Sequence, residues 1–312
     1  MIRFIVLGFV LLSISVGVKA QLYPVFTQYY FNELMINPAY AGAHVQLSAT
    51  ATYRNQWINF PGAPKTFSFS AHSSFLKGRV GLGLMVNVDK IGSYANKDAT
   101  LVYSYKLKFP KSTLSFGIQG MFYFLNADFG SLNLKNQQGT DPEFTPYNQF
   151  KPNIGAGVYY SRKNFFAGFS VPYLINTQYA SSLAQVADQF QQKRNYFLRS
   201  GAYFQLSKNV KLNPSILLRS QEGQPLSLDF NTAVVMYDVV SAGISFRSGD
   251  SVISFINLQL LDNMYFSYSF DFTTSNLSPF SSGTQEIMLN YRTKITSIHK
   301  ELQCPTYHSY RE

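Results

Sequence analysis

The sequence predicts an all-β, transmembrane outer-membrane barrel of about fourteen antiparallel strands with an N-terminal periplasmic or plug segment. Three observations predict it: a composition unlike that of a soluble domain, a recurring period-two alternation, and links that are by turns very short and longer. Of 312 residues only 13% are charged, while 16% are aromatic, including 28 Phe and 22 Tyr. A soluble domain carries about 25% charged residues, so the surface of this chain calls for a solvent other than water. A mean hydropathy of −0.06 speaks against a bundle of membrane helices. Past Gln21 no apolar run approaches the roughly 18 residues of a spanning helix.

The alternation is clearest over residues 45–57. Val45, Leu47, Ala49, Ala51, Tyr53 and Trp57 fall on one face, and Gln46, Ser48, Thr50, Thr52, Arg54 and Gln56 on the other. Successive strand side chains point to opposite faces, so this segment has an oily side and a wet side. Phe67, Phe69 and Ala71 repeat the pattern, as do Val80 to Val88, Leu101 to Phe109 and Leu114 to Phe124. Further strands are predicted near 152–161, 164–172, 195–206, 209–219, 225–236, 239–247, 251–260, 263–272 and 284–293. The even total matches bacterial single-chain barrels.

The links carry an independent signal. Leu76-Lys77-Gly78, Pro110-Lys111-Ser112, Arg162-Lys163, Ser207-Lys208, Tyr237-Asp238 and Leu261-Asp262 are short. Between them fall mostly longer links at 58–64, 89–97, 126–151, 173–194, 220–224, 248–250 and 273–283. Outer-membrane barrels have short periplasmic turns and longer outer loops, whereas a β-sandwich gives no reason for such an order. The order places both termini in the periplasm.

Residues 1–20 read as a cleaved signal peptide, with Arg3 at its start, an apolar stretch from Phe4 to Leu12 and a small-residue cleavage site at Val18-Lys19-Ala20. The predicted organisation is therefore a leader at 1–20, an N-terminal plug or periplasmic segment at 21–44, the barrel at 45–293 and a periplasmic tail at 294–312. Cys304 is the only cysteine, so no intramolecular disulfide forms. The formal charge of +10 includes Arg3 and Lys19, leaving +8 after cleavage. Export and the dispersal of the lysines argue against a nucleic-acid partner.

Residues 21–44 lack strand alternation, and Pro38 interrupts any continuous strand. The block Asn37, Pro38, Ala39, Tyr40, Ala41, Gly42 fits a partial helix closed by a turn, lying under the barrel or tucked into its lumen. Inward glycines at 81, 83, 117, 155, 157, 168 and 201 either leave backbone free for such a plug to approach or ease strand curvature.

At these residues the chain resembles a known family. Gln28-Tyr29 to Asn32, Ile36 to Gly42, Tyr53-Arg54-Asn55-Gln56-Trp57 with Pro61 to Thr66, Glu286-Ile287-Met288-Leu289 and Cys304-Pro305 resemble the PorP/SprF family. The tail departs from it, running on to Glu312 where members commonly stop sooner. The resemblance implies an outer-membrane protein associated with the type IX secretion system of Bacteroidota-type bacteria, some members of which sit with the gliding machinery. It implies a non-enzymatic barrel that helps a secreted surface adhesin or cargo protein reach or stay on the cell surface. The implied partners are the cargo's C-terminal domain, the periplasmic and outer-membrane secretion components, and outer-membrane lipid.

No catalytic centre, cofactor site or metal site is predicted. His72 faces the lumen beside Ser68 and Ser70, but no acid in that stretch could orient it as a triad requires. The spacing of His299, Cys304 and His308 matches no standard zinc site. Gly81-Leu82-Gly83 and Gly155-Ala156-Gly157 lack the helix start of a nucleotide loop. Lumen charges at Arg54, Lys106, Lys108, Arg199, Lys211, Arg219 and Arg292, set against Asp229, Asp271 and Glu286, form an ion-pair network or an anion-preferring pore.

Three groups are the candidate functional residues. Asn37, Pro38, Ala39, Tyr40 and Gly42 would pack the lumen. Arg54, Asn55, Gln56 and Trp57 would close the barrel mouth. Lys77, Arg79, Lys111, Arg162, Lys163 and Lys208, with Lys294 and Lys300, would make a basic periplasmic rim diluted by Asp238 and Asp262. That rim meets anionic head groups or docks an acidic partner. The alternative function is an outer-membrane channel for small or hydrophobic solutes; an outer-membrane lipase or protease is a third.

Overall fold

The computed structural model describes residues 26–44, 47–127, 147–178 and 191–293. The predicted leader and tail, and Val45 and Gln46, lie outside these residues. The strands are β1 (Leu47–Asn55), β2 (Lys65–Phe75), β3 (Val80–Ile91), β4 (Tyr94–Phe109), β5 (Ser112–Ala127), β6 (Tyr147–Arg162), β7 (Phe165–Val171), β8 (Thr177–Gln178), β9 (Gln191–Gln192), β10 (Asn195–Ala202), β11 (Phe204–Ser207), β12 (Val210–Gln221), β13 (Ser227–Met236), β14 (Val240–Arg247), β15 (Ser251–Leu261), β16 (Met264–Thr273) and β17 (Thr284–Thr293).

Sequential strands pair antiparallel, β1 pairs with β17, and β10 pairs with both β7 and β12, so the sheet closes. With β11 continuing β10, and β8–β9 a separate small ribbon, the wall is a closed barrel of fourteen antiparallel strands. The predicted parity holds along β1: Ser48, Thr50, Thr52 and Arg54 are buried inside, while Tyr53 is exposed outside. Outward Phe67, Phe69, Leu101, Tyr103, Phe116 and Ile118 form the oily belt that faces lipid.

Several boundaries differ from the expectation, β6 for example starting at Tyr147 rather than 152, and two differ for a clear physical reason. The first strand ends at Asn55 rather than running to residue 57: Trp57 takes a left-handed backbone (φ 47°) and Ile58 N–H turns to Gly283 O at 2.8 Å. The expected link at 89–97 is mostly ladder, reversing only at Gly92–Ser93, with Ile91 opposite Tyr94 and Asp89 opposite Asn96. Above the bilayer an outward face no longer needs to be apolar, so the outward Lys90 and Lys97 disguised a strand as a loop.

Strand β12 carries Pro214 one step beyond the Gly201–Ser215 pair, level with Ala202 by register, and the wall strand breaks between β10 and β11 there. Tyr203 N–H turns away to Asn164 O at 3.0 Å, so Ala202 faces β12, where Pro214 has no N–H to offer. Asn213 Nδ2 donates to Ala202 O at 2.8 Å instead, replacing the lost rung from a side chain.

Candidate functional site

Every residue from Phe26 to His44 is buried. This segment forms three single-turn 3-10 helices, at Gln28–Tyr30, Glu33–Met35 and Pro38–Tyr40. The last starts where the sequence demands a turn: Asn37 Oδ1 accepts the Ala39 N–H at 2.9 Å and Pro38 occupies the first helical position, where it lacks only an N–H that would be unused anyway.

The segment bonds to inward side chains around the barrel, which puts it in the lumen. At the long-loop end Glu286 accepts the Thr27 and Gln28 N–H groups, each at 2.9 Å, and Thr27 Oγ1 bonds Asp271 at 3.1 Å. At the short-turn end Gly42 N–H donates to His72 Nδ1 at 3.0 Å, Ser104 Oγ donates to Ala41 O at 2.7 Å, and Lys106 Nζ reaches Gly42 O. Residues 26–44 therefore run down the lumen, away from the long-loop end.

The wall is built to admit them. A β-carbon on Gly117 would overlap the Ala39 nitrogen, one on Gly81 the Ala41 carbonyl, and one on Gly157 the Asn37 amide oxygen. Gly168 also faces Asn37, whereas Gly155 meets Pro172 and Gly201 meets Phe166. Of the two readings open from sequence, close approach of the lumen segment explains Gly81 and Gly117, which meet its backbone, and Gly157 and Gly168, which meet the Asn37 side chain. Apolar clusters then join segment and wall: Leu34, Tyr40 and Ala41 against Met85, Val102 and Tyr159; Tyr30 and Phe31 against Val235, Ile253 and Phe255; Met35 and Ile36 against Phe197 and Leu217.

A buried charge network crowns the long-loop end. Arg54 pairs with Asp271 and Glu286, both at 2.8 Å, and Arg247 pairs with Asp229 at 3.1 Å and approaches Asp271 at 3.7 Å. Arg219 adds a second cation to Asp229 at 3.1 Å. Arg199 pairs with Glu33 of the lumen segment at 3.1 Å and donates to Tyr29 O at 2.9 Å. Its guanidinium also lies 5.1 Å from the Phe166 ring centre.

Each candidate residue can now be placed. Asn37, Pro38, Ala39, Tyr40 and Gly42 are all buried against β4, β5 and β6 or their neighbours. Arg54, expected to help close the barrel mouth, is 2% exposed within the charge network. Asn55 ends β1, Gln56 N–H bonds Pro64 O at 3.0 Å, and Trp57 N–H bonds Thr284 Oγ1 at 3.0 Å, so this stretch ties the 56–64 loop to the start of β17. Lys77, Arg79, Lys111, Arg162, Lys163 and Lys208 are exposed, all at the short-turn end. The turns at 76–79, 110–111, 163–164 and 208–209 follow one another around the rim, so its basic charge forms an arc, with Asp238 and Asp262 on the remaining side. Lys294 and Lys300 lie outside the described residues.

Sequence reasoning missed Arg247 and Glu33. Arg247 lies inside the strand expected at 239–247 and shares the parity of the buried Ser241 and Ser245, so its inward direction was legible. Glu33 carried no periodic signal. His72 proves to be a packing residue, its ring stacked on His44 at 5.6 Å and edge-on to Tyr40 at 5.8 Å, while Asn32 Nδ2 donates to Ser70 Oγ at 2.8 Å. Among the described residues no group of three or more His, Cys, Asp or Glu could hold a metal. His299, Cys304 and His308, whose spacing matches no standard zinc site, lie outside them.

These features define an outer-membrane-type barrel whose lumen is filled by its own chain. A family model described as type IX secretion system membrane protein PorP/SprF matches residues 18–291, and the chain belongs to that family. It is accordingly a type IX secretion protein of the outer membrane, of a family and fold not known as enzymatic. No curated protein matches it. Among solved structures it is similar to the outer membrane protein Omp33 of Acinetobacter baumannii, at 10% identity and a TM-score of 0.46, covering 81% of this chain and 100% of that one. It is also similar to a Pseudomonas aeruginosa FadL homologue, at 13% identity and a TM-score of 0.46, covering 88% and 95%. A deletion mutant of the monoaromatic hydrocarbon channel TodX matches at 11% identity and 0.46, covering 89% and 96%.

Proposed function

We propose that this chain is a non-enzymatic, non-conducting barrel that anchors or escorts a secreted surface adhesin or cargo protein of the type IX secretion or gliding system. The observation that carries the reading is the lumen itself, occupied from one end to the other by residues 26–44 and held by buried ion pairs and hydrogen bonds. A channel for small or hydrophobic solutes would first have to expel that segment, abandoning the Arg199–Glu33 pair and the apolar clusters. With the lumen committed to the chain's own packing, the surfaces left for partners are the two ends.

The basic arc of Lys77, Arg79, Lys111, Arg162, Lys163 and Lys208 is the docking face, matched to an acidic surface on the cargo's C-terminal domain or on a periplasmic secretion component. The predicted leader at 1–20 and the tail at 294–312 belong to this proposal, delivering the chain to the outer membrane and extending the same periplasmic face. Charge reversal tests it. K77E, R162E and K163E together should abolish surface display of the partner while the barrel still inserts and keeps its folded mobility on unheated gels. Unchanged display from such an inserted barrel would overturn the docking role.

A further inference from the structure

Near the long-loop end, β3 and β4 rise above the oily belt and close at Gly92–Ser93. Their inward positions there are Asn87 and Asp89 on β3, and Asn96 and Asp98 on β4. Asp89 lies opposite Asn96, and Asp98 opposite Asn87, so the four side chains form two adjacent cross-strand pairs on one face.

Both carboxylates are buried, at 4% and 8% exposure. Asp89 receives a hydrogen bond from Thr66 Oγ1 at 2.6 Å and Asp98 one from Asn87 Nδ2 at 2.8 Å. Among the described residues no Lys, Arg or His pairs with either. The rest of the lumen is handled differently: Glu33, Asp229, Asp271 and Glu286 each have an arginine within 3.1 Å. A second, independent feature lies on the same face. Asn96 is 5% exposed, and its Oδ1 is buried without a hydrogen-bond partner, directly across the ladder from Asp89. Buried polar atoms are ordinarily satisfied, and an amide oxygen can be satisfied only by a donor or a cation.

We propose that Asp89, Asp98 and the Asn96 amide oxygen form a binding site for a hard divalent cation of the calcium type. Two carboxylates and an amide oxygen are the ligands calcium prefers, and water would complete its roughly six to eight oxygens. Its tolerance of irregular geometry suits ligands whose spacing a β-ladder dictates, whereas magnesium demands a near-octahedral set. The cation would neutralise the paired charges and fasten the β3–β4 hairpin where it stands clear of the bilayer.

The test uses the full-length barrel extracted in detergent, stripped with chelator and titrated with calcium chloride by calorimetry, with unfolding midpoints recorded alongside. The wild type should bind one calcium ion per chain saturably, and D89N, D98N and N96A should each weaken binding by at least about tenfold. In chelator D98N should be at least as stable as the wild type, because removing one of two like buried charges relieves repulsion. In calcium that order should reverse. This crossover separates a site from a merely structural role, and a misfolded variant shows itself by its gel mobility. No saturable binding by the folded wild type, or affinity unchanged in D89N and D98N, would overturn the proposal.

Discussion

At the scale of the residue, Arg54 shows how one side chain can serve both wall and filling. Its guanidinium neutralises Asp271 and Glu286, and these same carboxylates grip the backbone N–H and hydroxyl groups of Thr27 and Gln28. Removing one partner of a buried pair leaves the other charge uncompensated, at a cost of about 3–5 kcal/mol. R54M should therefore lower the urea midpoint of the folded barrel sharply, and E286Q by less, because its amide oxygen still accepts one of the two N–H groups. Equal stability of R54M and wild type would show that the network contributes little. Arg54 was legible as an inward charge from its parity, but its partners were not. Glu286 and Asp271 lie on strands that only barrel closure brings beside it, and periodicity carries no information about closure.

At the scale of the element, the strands were legible wherever lipid imposed an apolar outward face. Where that demand lapsed they were not. The top of β3 and β4 reads as a polar loop because Lys90 and Lys97 face out, and hidden with them were Asp89 and Asp98. The interior was misread in the other direction: a polar lumen was expected, yet Leu217, Val235, Ile253 and Phe255 point inward to meet Tyr30, Phe31 and Ile36. The Ala202 rung belongs to this scale too. N213A removes the donor that stands in for Pro214, and with it the acceptor of the Tyr30 hydroxyl, and should cost about 1–3 kcal/mol, the range for polar groups left unpaired. Adding P214A supplies a ladder N–H and should restore part of that loss. Hydrogen exchange at the β10–β11 junction would follow both steps, and a harmless N213A would sink the account.

At the scale of the whole molecule, the filled lumen makes a prediction about current. The reconstituted wild type should show no steady ion conductance in planar bilayers. A chain lacking residues 26–40 should either conduct or fail to reach its folded mobility, since Leu34, Ile36 and Tyr40 pack much of the interior. Steady conductance from the intact protein would move its function to the channel reading. Family and barrel were both legible from the sequence. Where the segment sits was not, because its side chains follow no single period and its partners are scattered over most of the chain.

The direction in which that segment runs has a consequence for how the molecule comes into being. Thr27 and Gln28 rest on Glu286, which is 259 and 258 positions away on β17. The seam of the wall, where β1 meets β17, lies beside that same carboxylate. Closing the circle and stopping its bore are thus one event, with the loop-closure entropy of nearly the whole chain as its toll. An unfinished cylinder carries an acid in its interior with nothing to hold. The grip of Glu286 on Thr27 and Gln28 can therefore form only once β17 lies beside β1.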